Sequence, residues 1–385
     1  MELPPGQKTG ARMDGWNIDV VEGTNACAAA IGFAADEVVS TPFQHPEWLA
    51  SWLASFPDDG APRTFLMVVR ESATGRVVLR LALGLEIRSG IRVLRGWDRD
   101  TCDYGGPILA RDFAPSPETF RRVWAQISAK LPRCDVLALD KMPARIGAID
   151  NPLLRLPGIE RSFDAAHVLR LGEAPGGVPE SFDPSMRRSL ARKRRKLQNK
   201  GTLVSRMRPA REGLDVLESL LAWRRARFAD ENRGHDVAPV EAFWRRLATD
   251  ADIAHVADLS LDGRPLAAGF GTRTGDSFQL LATGFDVAWK NWSPGLLLAE
   301  DMIAAAEADG VRLFDFTVGE EAYKLDFAVE TPPLFDLFAP RTLKGWLAMV
   351  WRRLQIRRRR LHAERVRAAH LAREAAKLAQ AERPA

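Results

Sequence analysis

The first 171 residues alternate between apolar residues at helical spacing and apolar residues at strand spacing. Five large apolar side chains fall on one face of a predicted helix: Trp48, Leu49, Trp52, Leu53 and Phe56. The runs TFLMVVRES, RVVLRLALGLEIRS and IRVLRGW predict strands, with turns at 73–75 and 89–90. A helix at 117–131 and the strand DVLALDKM follow. Alternating strands and helices indicate an α/β layer.

The second half begins after a stretch rich in Gly and Pro at 172–185, which is typical of a linker. A basic helix comes next and ends at Gly201, with a thin apolar stripe of Met186, Leu190 and Leu197. Helices are predicted at 212–230 and 240–249. The runs AHVADLSLDG, RPLAAGFGTRTGD and SFQLLATGFD then predict three antiparallel strands, turning at 262–263 and 274–276.

The stretch 285–327 predicts a helix whose N-terminus faces the end of a sheet. Ser293 suits the N-cap, where its hydroxyl would accept from a backbone N–H, and Pro294 suits the first helical position. Gly295 leaves the backbone open to a ligand, Gly310 is a stop, and RLFDFTV is a strand. Free N–H groups at such a helix end favour a phosphate. An ordinary capped helix with nothing bound is the alternative.

Length and composition indicate two globular domains in 385 residues, 46% of which are hydrophobic. The N-terminal residues lack the apolar segment of a signal peptide, so we expect a cytoplasmic protein. The three cysteines, Cys27, Cys102 and Cys134, have no metal or redox spacing, and we expect buried free thiols. No histidine motif predicts a metal site.

Positive charge is concentrated in two segments, although the net charge is only +5. The segment Arg187–Lys200 has eight Lys or Arg and no acidic residue, and 341–385 has thirteen against three acidic residues. The basic helix Arg187–Lys200 is either solvated or attracts a polyanion. The helical tail 341–385 is solvated, lies on anionic lipid at the inner membrane face, or contacts nucleic acid such as tRNA.

Five motifs occur in an order that resembles the CelD-type acetyltransferases of the GNAT superfamily. They are PFQHPEWLASW, CDYGGPIL, RRSLARKRRKLQNKG, WKNWSPGLLL and RLFDFTVGEEAYKLDF, within residues 41–340. The resemblance implies an α/β (α+β) fold with two tandem GNAT-like lobes, as in Fem-type transferases. The sheets would be mixed and largely antiparallel, followed by a basic C-terminal helix. The implied division is an N-terminal segment 1–37, a degenerate lobe 38–171, a linker 172–185, a donor-binding lobe 186–340 and the tail 341–385.

The same resemblance places the donor pyrophosphate on the loop before the second-lobe helix. The loop residues implied are Trp292, Ser293, Pro294, Gly295 and Leu296. This loop has one glycine where the common GNAT loop, Q/R-x-x-G-x-G/A, has two. The resemblance implies acetyl-CoA or another acyl-CoA as the donor, and the missing glycine leaves a carrier-protein or tRNA donor as alternatives.

Acyl transfer needs a base for the acceptor and an acid for the thiolate. The resemblance implies Tyr323 as the acid, and an anchoring tyrosine is the alternative. Lys324 would stabilise developing charge or bind an acidic group, or would be a surface lysine. Asp315, which alternates with Phe314 and Phe316, is the first candidate base.

Further candidates occupy other parts of the chain. Glu320 ranks after Asp315 as a base, Glu321 is an additional candidate, and His235 is a third possibility or a solvated loop histidine. Asp103 and Tyr104 match the family's Asp-Tyr pair, which would contact the acceptor or close the cleft between lobes. A capped turn before Gly105 is the alternative reading of that pair.

Three hypotheses about function follow. The first is an acyl-CoA-dependent N- or O-acyltransferase acting on a sugar or related acceptor of extracellular polysaccharide synthesis, the acceptor class being implied by resemblance only. The second is a Fem-like transferase that takes an aminoacyl group from tRNA. The third is a non-catalytic adaptor that docks on a membrane-bound polysaccharide machine through its basic tail.

Overall fold

The computed structural model describes residues 15–32, 37–56, 63–172, 182–230, 238–319, 322–327 and 329–354. The helices are α1 Thr24–Ala30, α2 Pro46–Ser55, α3 Pro117–Lys130, α4 Pro184–Gln198, α5 Leu214–Asp230, α6 Ala238–Asp250, α7 Pro294–Ala308 and α8, described over 343–354. The first ten strands are β1 Trp16–Glu22, β2 Val38–Val39, β3 Arg63–Glu71, β4 Val77–Arg88, β5 Ile91–Gly96, β6 Ile108–Ala110, β7 Val136–Pro143, β8 Arg145–Ile146, β9 Ile149–Asp150 and β10 Ile159–Arg170. The rest are β11 Leu203–Pro209, β12 Ala254–Leu261, β13 Arg264–Thr274, β14 Ser277–Phe285, β15 Leu313–Val318 and β16 Pro333–Pro340.

One large sheet runs through both halves of the described chain. Its strand order is β1-β3-β4-β5-β7-β16-β10-β15-β14-β13-β12-β11, with β2 and β6 beside β4. The first lobe contributes β1 to β7 and the second lobe β11 to β15. Neighbours within each lobe are antiparallel until the last pair, β5 with β7 and β14 with β15, which are parallel. The two lobes therefore repeat one topology.

The last strand of each lobe crosses to the other lobe. β10, which ends the first half, pairs with β15, and β16 pairs with β7. β10 and β16 also pair with each other, antiparallel, at the centre of the sheet. This exchange joins the lobes through backbone hydrogen bonds and holds their facing edges in a fixed register.

The aromatic face predicted for the helix at 48–56 is confirmed in α2 and forms part of the contact between lobes. All five of its large side chains are buried. The Trp48 ring packs edge-on against Phe243 of α6 at 4.9 Å, and Trp52 stacks on Trp97 at 5.5 Å. Edge-to-face and stacked rings add to the stabilisation from area burial. Helix α2 thus fixes α6 of the second lobe against the first lobe.

The predicted elements of the second lobe are also confirmed. Met186, Leu190 and Leu197 are the buried residues of α4, and the three antiparallel strands are β12, β13 and β14. The turn at Asp262 and Gly263 has positive φ at both residues, which suits a tight hairpin. Gly269 of β13 lies under α7, where a Cβ would come within 2.9 Å of Met302 Sδ.

The three cysteines are buried and free, as expected. None of the helices in the described ranges combines the length and hydropathy needed to cross a bilayer. The predicted linker 172–185 leads from β10 to α4, and its residues 173–181 are outside the described ranges.

Candidate functional site

The parallel strands β14 and β15 part after three paired positions and leave a gap between them. Ser277, Phe278 and Gln279 pair with Leu313, Phe314 and Asp315. Beyond these positions the strands line opposite sides of a pocket of about 280 Å³, with 280–283 on one side and 316–318 on the other. The gap exposes strand backbone that would otherwise be used in the ladder.

A bulge in β14 lies at the same gap. Gly271 pairs with Leu280 and Phe270 pairs with Ala282, so Leu281 is an extra residue on β14. A bulged residue leaves the ladder and bends the strand, which directs backbone groups away from the neighbouring strand. Leu281 lines the pocket. A bulge depends on pairing with another strand, so no local pattern in the sequence reveals it.

Both lobes contribute polar side chains to the pocket. Asp100 and Asp103 come from the first lobe, Arg224 and Arg227 from α5, and Tyr323 and Lys324 from the 3₁₀ helix Ala322–Phe327 that follows β15. The pocket thus lies between the lobes and contains carboxylates, cations and a phenol. A polar acceptor fits such a lining better than an apolar one.

Asp315 is buried beside this pocket and is bonded to the first lobe. Phe314 and Phe316 face the second-lobe core, as the alternation predicted, and Asp315 turns the opposite way. Its Oδ1 accepts from the Tyr104 hydroxyl at 2.8 Å and from the Thr317 backbone N–H at 2.7 Å. Burial raises the pKa of Asp315 to about 7, and the nearby Asp103 carboxylate adds to the rise. The pKa of Tyr104 is also raised, by burial and by the Asp315 charge.

Asp103 lies on the pocket wall itself. Its carboxylate bonds the side chain of Thr317, and its burial raises its pKa above 3.8. The ammonium groups of Lys141 and Lys324 oppose that rise by favouring the charged carboxylate. A carboxylate with a raised pKa that faces a pocket is suited to accept a proton near neutral pH.

Thr317 has a left-handed backbone at the point where β15 leaves β14. Its φ is +60°, which for a β-branched residue costs about 1–3 kcal/mol. The hydrogen bond from its N–H to Asp315 holds this conformation. Lys141, in the corresponding strand β7 of the first lobe, also has positive φ, 53°. The strain recurs in both lobes, next to the parallel strand pair.

Tyr323 and Lys324 occupy adjacent positions with different environments. The half-buried Tyr323 ring packs edge-on against Phe316 and Phe327, at 6.4 and 6.5 Å. Lys324 is only 3% exposed, so the alternative of a surface lysine is wrong. Its ammonium donates to the carbonyls of Val318 at 2.9 Å and Gly319 at 3.4 Å. Lys324 therefore fixes the chain that follows β15.

The expected phosphate loop differs from the prediction at Ser293. Pro294 begins α7 as predicted, but Ser293 has φ +51° and its side chain makes no cap hydrogen bond. The hydroxyl instead accepts from Lys193 Nζ of α4 at 2.6 Å. The left-handed backbone turns the hydroxyl away from the helix N–H groups, so the predicted cap geometry is wrong. A Cβ on Gly295 would meet only Phe285 Cδ1, at 3.5 Å.

The basic helix α4 supports this loop and α7. Lys200, two residues after the end of α4, lies over the Trp292 ring, 5.4 Å from its centroid. Arg194 pairs with Glu300 at 2.8 Å and Asp301 at 2.7 Å on α7. Part of the positive charge of α4 is thus used within the fold, and the remaining basic residues face outward.

His235, Glu320 and Glu321 are outside the described ranges. Within the described ranges there is no group of three or more His, Cys, Asp or Glu arranged to hold a metal ion.

The raised pKa of Asp315 predicts a pH-dependent stability. Because its folded pKa of about 7 exceeds the ordinary 3.8, folding takes up a proton between these pH values. This contribution is complete below about pH 4 and is lost as the pH rises through 7. Asp315→Asn keeps the acceptor atom of both hydrogen bonds and does not ionise. Between pH 4.5 and 8, wild type should lose about 3 kcal/mol of stability that Asp315→Asn does not lose. Urea titrations would show this as a rise in the free energy of unfolding of the variant relative to wild type.

Tyr104→Phe is the companion variant for that measurement. It removes a donor that favours the ionised carboxylate, so the pKa of Asp315 should rise further. The loss of stability should then be larger and should continue to a higher pH than in wild type. A pH dependence that is the same in wild type and Asp315→Asn would contradict the assignment.

A known family model matches most of the second lobe. Residues 184–325 match the family model described as Acetyltransferase (GNAT) domain. No curated protein sequence matches the chain. The crystal structure of FemX aligns with a TM-score of 0.55 and 13% identity, over 81% of this chain and 95% of FemX.

Two further solved structures are similar over most of their length. The C-terminal domain (DUF2156) of a putative lysylphosphatidylglycerol synthetase from Agrobacterium fabrum aligns with a TM-score of 0.49 and 14% identity, over 78% of this chain and 90% of that one. A tandem GNAT protein from the clavulanic acid biosynthesis pathway aligns at 0.42 and 15%, over 85% and 100%. The domain match and the FemX likeness confirm the predicted mixed, largely antiparallel GNAT-like fold with tandem lobes.

Proposed function

We propose that this GNAT-type protein is an acyltransferase that binds an acyl-CoA on its second lobe and a polar acceptor between its lobes. The observation that carries the proposal is the gap between β14 and β15. It lies within the matched residues 184–325, and a pocket with a carboxylate and a phenol opens into it. A gap of this kind accommodates an extended thioester between two strands and gives a nucleophile access from the opposite side.

The donor site would extend from the gap to the start of α7. The positive end of the α7 dipole and the open backbone at Gly295 suit a pyrophosphate, with Trp292, Ser293, Pro294 and Leu296 completing the loop. The Leu296 and Leu297 N–H groups already donate to the Ser293 carbonyl. Lys193 and Lys200 add positive charge beside it. In this proposal the thioester carbonyl lies against the β14 bulge, where a backbone N–H stabilises the developing oxyanion.

The acceptor chemistry then uses the pocket wall. The acceptor nitrogen or oxygen forms a bond to the acyl carbon while its proton passes to the Asp103 carboxylate. The C–S bond breaks, and the leaving thiolate takes a proton from the Tyr323 hydroxyl. The hydrogen bond between Tyr104 and Asp315 joins the two lobes beside Asp103 and so helps to position the pocket. Asp315 is the alternative base. Lys324 contributes positive charge to the same wall. A sugar of extracellular polysaccharide synthesis is the acceptor class that the CelD-type resemblance implies.

Donor binding can be tested by calorimetry with acetyl-CoA. We expect saturable binding by wild type and at least a hundredfold weaker binding by Gly295→Glu, since the carboxylate would occupy the phosphate path. Gly295→Ala is the matched control. A methyl at this position meets Phe285 at an ordinary contact distance, and alanine suits a helix, so binding should change only a few-fold.

Two results would reject the donor assignment. Wild type that shows no heat with acetyl-CoA or longer acyl-CoA thioesters would reject an acyl-CoA donor. Gly295→Glu that binds as tightly as wild type would place the donor elsewhere.

A Fem-like, tRNA-dependent transferase is the second candidate. It is favoured by the fold likeness to FemX and by the outward basic residues of α4. This candidate predicts aminoacyl-tRNA binding that weakens steeply as salt is raised. Failure of tRNA to bind at low salt would reject it. Failure of both donors would favour the non-catalytic adaptor.

A further inference from the structure

Helix α8 has two opposite faces of different chemistry. The face toward the first lobe is formed by residues that are at least partly buried: Gly345, Ala348, Met349 and Arg352. The opposite face consists of large apolar side chains that are 36% to 76% exposed: Leu343, Trp346, Leu347, Val350, Trp351 and Leu354. At 3.6 residues per turn these six side chains cover an arc of about 140°.

The N-terminal end of α8 is fixed to the first lobe by close packing and hydrogen bonds. The Thr342 hydroxyl donates to Asp135 Oδ1 at 3.0 Å and accepts from the Gly345 N–H at 3.1 Å. A Cβ at position 345 would collide with the carbonyl oxygen of Asp135, so only glycine allows this approach. The apolar face is therefore turned outward by a specific contact on the other side.

Charged contacts fix the C-terminal end in the same orientation. Arg352 pairs with Asp336 at 3.2 Å and stacks over Phe338 at 4.9 Å. Arg353 pairs with Glu160 at 2.6 Å. The helix thus uses polar and small residues to join the fold and leaves its large apolar residues outside, the reverse of an ordinary surface helix.

Positive charge borders the exposed arc. By helical spacing, Lys344 and Arg353 lie at its two edges. Both are exposed, although Lys344 also donates to the Gly90 carbonyl and Arg353 pairs with Glu160. The following residues 355–385 contain nine Lys or Arg and three acidic residues, including four consecutive arginines at 357–360. Tryptophan, aliphatic side chains and flanking cations are the combination that the interface of an anionic bilayer attracts.

We propose that α8 lies in the plane of an anionic lipid bilayer, with its six exposed apolar side chains in the acyl region and its cations at the headgroups. The arc favours lipid over RNA, because RNA would not bury the aliphatic side chains of Leu343, Leu347 and Leu354, whereas lipid acyl chains would. The cations at the borders of the arc favour an anionic surface over a second copy of the same positively charged face. The attachment to the first lobe would hold the acceptor pocket at a constant distance from the membrane surface.

The test is flotation of the full chain with vesicles of phosphatidylcholine, alone or with about a third phosphatidylglycerol. Wild type should float with the anionic vesicles and much less with the neutral ones. Leu347→Glu combined with Trp351→Glu should lower the bound fraction at least about tenfold, because both charges would enter the acyl region. Both positions are exposed, so the fold should be retained, and the urea midpoint checks this.

Leu214→Glu is the matched control. It exchanges an exposed leucine for the same charge in the first turn of α5, in the second lobe, where a carboxylate is favourable. Vesicle binding should be unchanged.

Three results would overturn the proposal. Wild type that does not float, or that binds RNA but not vesicles, excludes a lipid partner. A Leu347→Glu/Trp351→Glu variant that floats like wild type would assign binding to the basic segment alone. A dimer in analytical ultracentrifugation that the same pair of substitutions dissociates would assign the arc to a second copy.

Discussion

Asp103→Asn should lower kcat by roughly 10² to 10⁴, the range that a positioned general base contributes. The substitution preserves the shape of the side chain and its ability to bond Thr317, so the pocket should keep its geometry. The proton acceptor is lost, because an amide does not take a proton near neutral pH. Steady-state assays with acetyl-CoA and a saturating acceptor would measure the effect.

The pH dependence separates a base from a residue that only shapes the pocket. The pKa of Asp103 is raised above 3.8, so in wild type kcat should increase with pH through that raised pKa and then level off. The variant has no ionising group at this position, and its residual activity should lack this acidic limb. An acidic limb that persists in Asp103→Asn and disappears in Asp315→Asn would transfer the role of base to Asp315.

Asp100→Asn is the matched control for charge. Asp100 is on the same loop and lines the same pocket, but it is exposed, and asparagine tolerates its φ of +61°. Removal of this carboxylate should change kcat only a few-fold. Equal losses in the two variants would indicate that the negative charge of the loop matters and that no single carboxylate accepts the proton.

The elements of the fold were predictable because each depends on a local pattern. The aromatic stripe of α2 has helical spacing, and the runs that form β3, β4 and β5 are bounded by turns. The turn at Asp262 and Gly263 follows from the residue types alone. Such signals repeat within ten or so residues, so one sequence is enough to locate them.

The exchange of β10 and β16 was not predictable in the same way. Both segments have strand composition, but composition does not state which lobe a strand pairs with. Pairing of β16 with β7 joins segments almost two hundred residues apart, and register there depends on burial in the assembled sheet. A division of the chain into consecutive lobes does not show that β10 and β16 each pair with a strand of the other lobe, because that pairing has no local signal.

The candidate site was predicted as a set of residues and not as a geometry. Tyr323, Lys324 and Asp103 were selected from motifs, and all three line one pocket in the structure. The contact of Tyr104 with Asp315 spans 211 positions, and that of Lys193 with Ser293 spans 100. In each pair, the sequence around one residue gives no signal of the other. The predicted donor to the Ser293 hydroxyl, a backbone N–H of α7, was therefore wrong, since Lys193 donates to it.

Tyr323→Phe should lower kcat with acetyl-CoA by roughly 10² or more, because the thiolate then leaves without a proton donor. The ring packing against Phe316 and Phe327 is retained by phenylalanine, so the second-lobe core should be unchanged. A coenzyme A thiol, with an ordinary thiol pKa near 8.5, benefits from an acid, whereas an aryl thiol of much lower pKa does not. An aryl thioester donor should therefore restore most of the lost rate.

The dependence on the leaving group distinguishes an acid from an anchor. If Tyr323 only holds the loop after β15, Tyr323→Phe should lose the same factor with alkyl and aryl thioesters, and that result would contradict the assignment. Tyr104→Phe provides the comparison, since its hydroxyl donates to Asp315 at the lobe interface. It should slow both donors equally, through the pKa and position of the wall carboxylates. A selective rescue of Tyr323→Phe alone would then identify the phenol that meets the leaving sulfur.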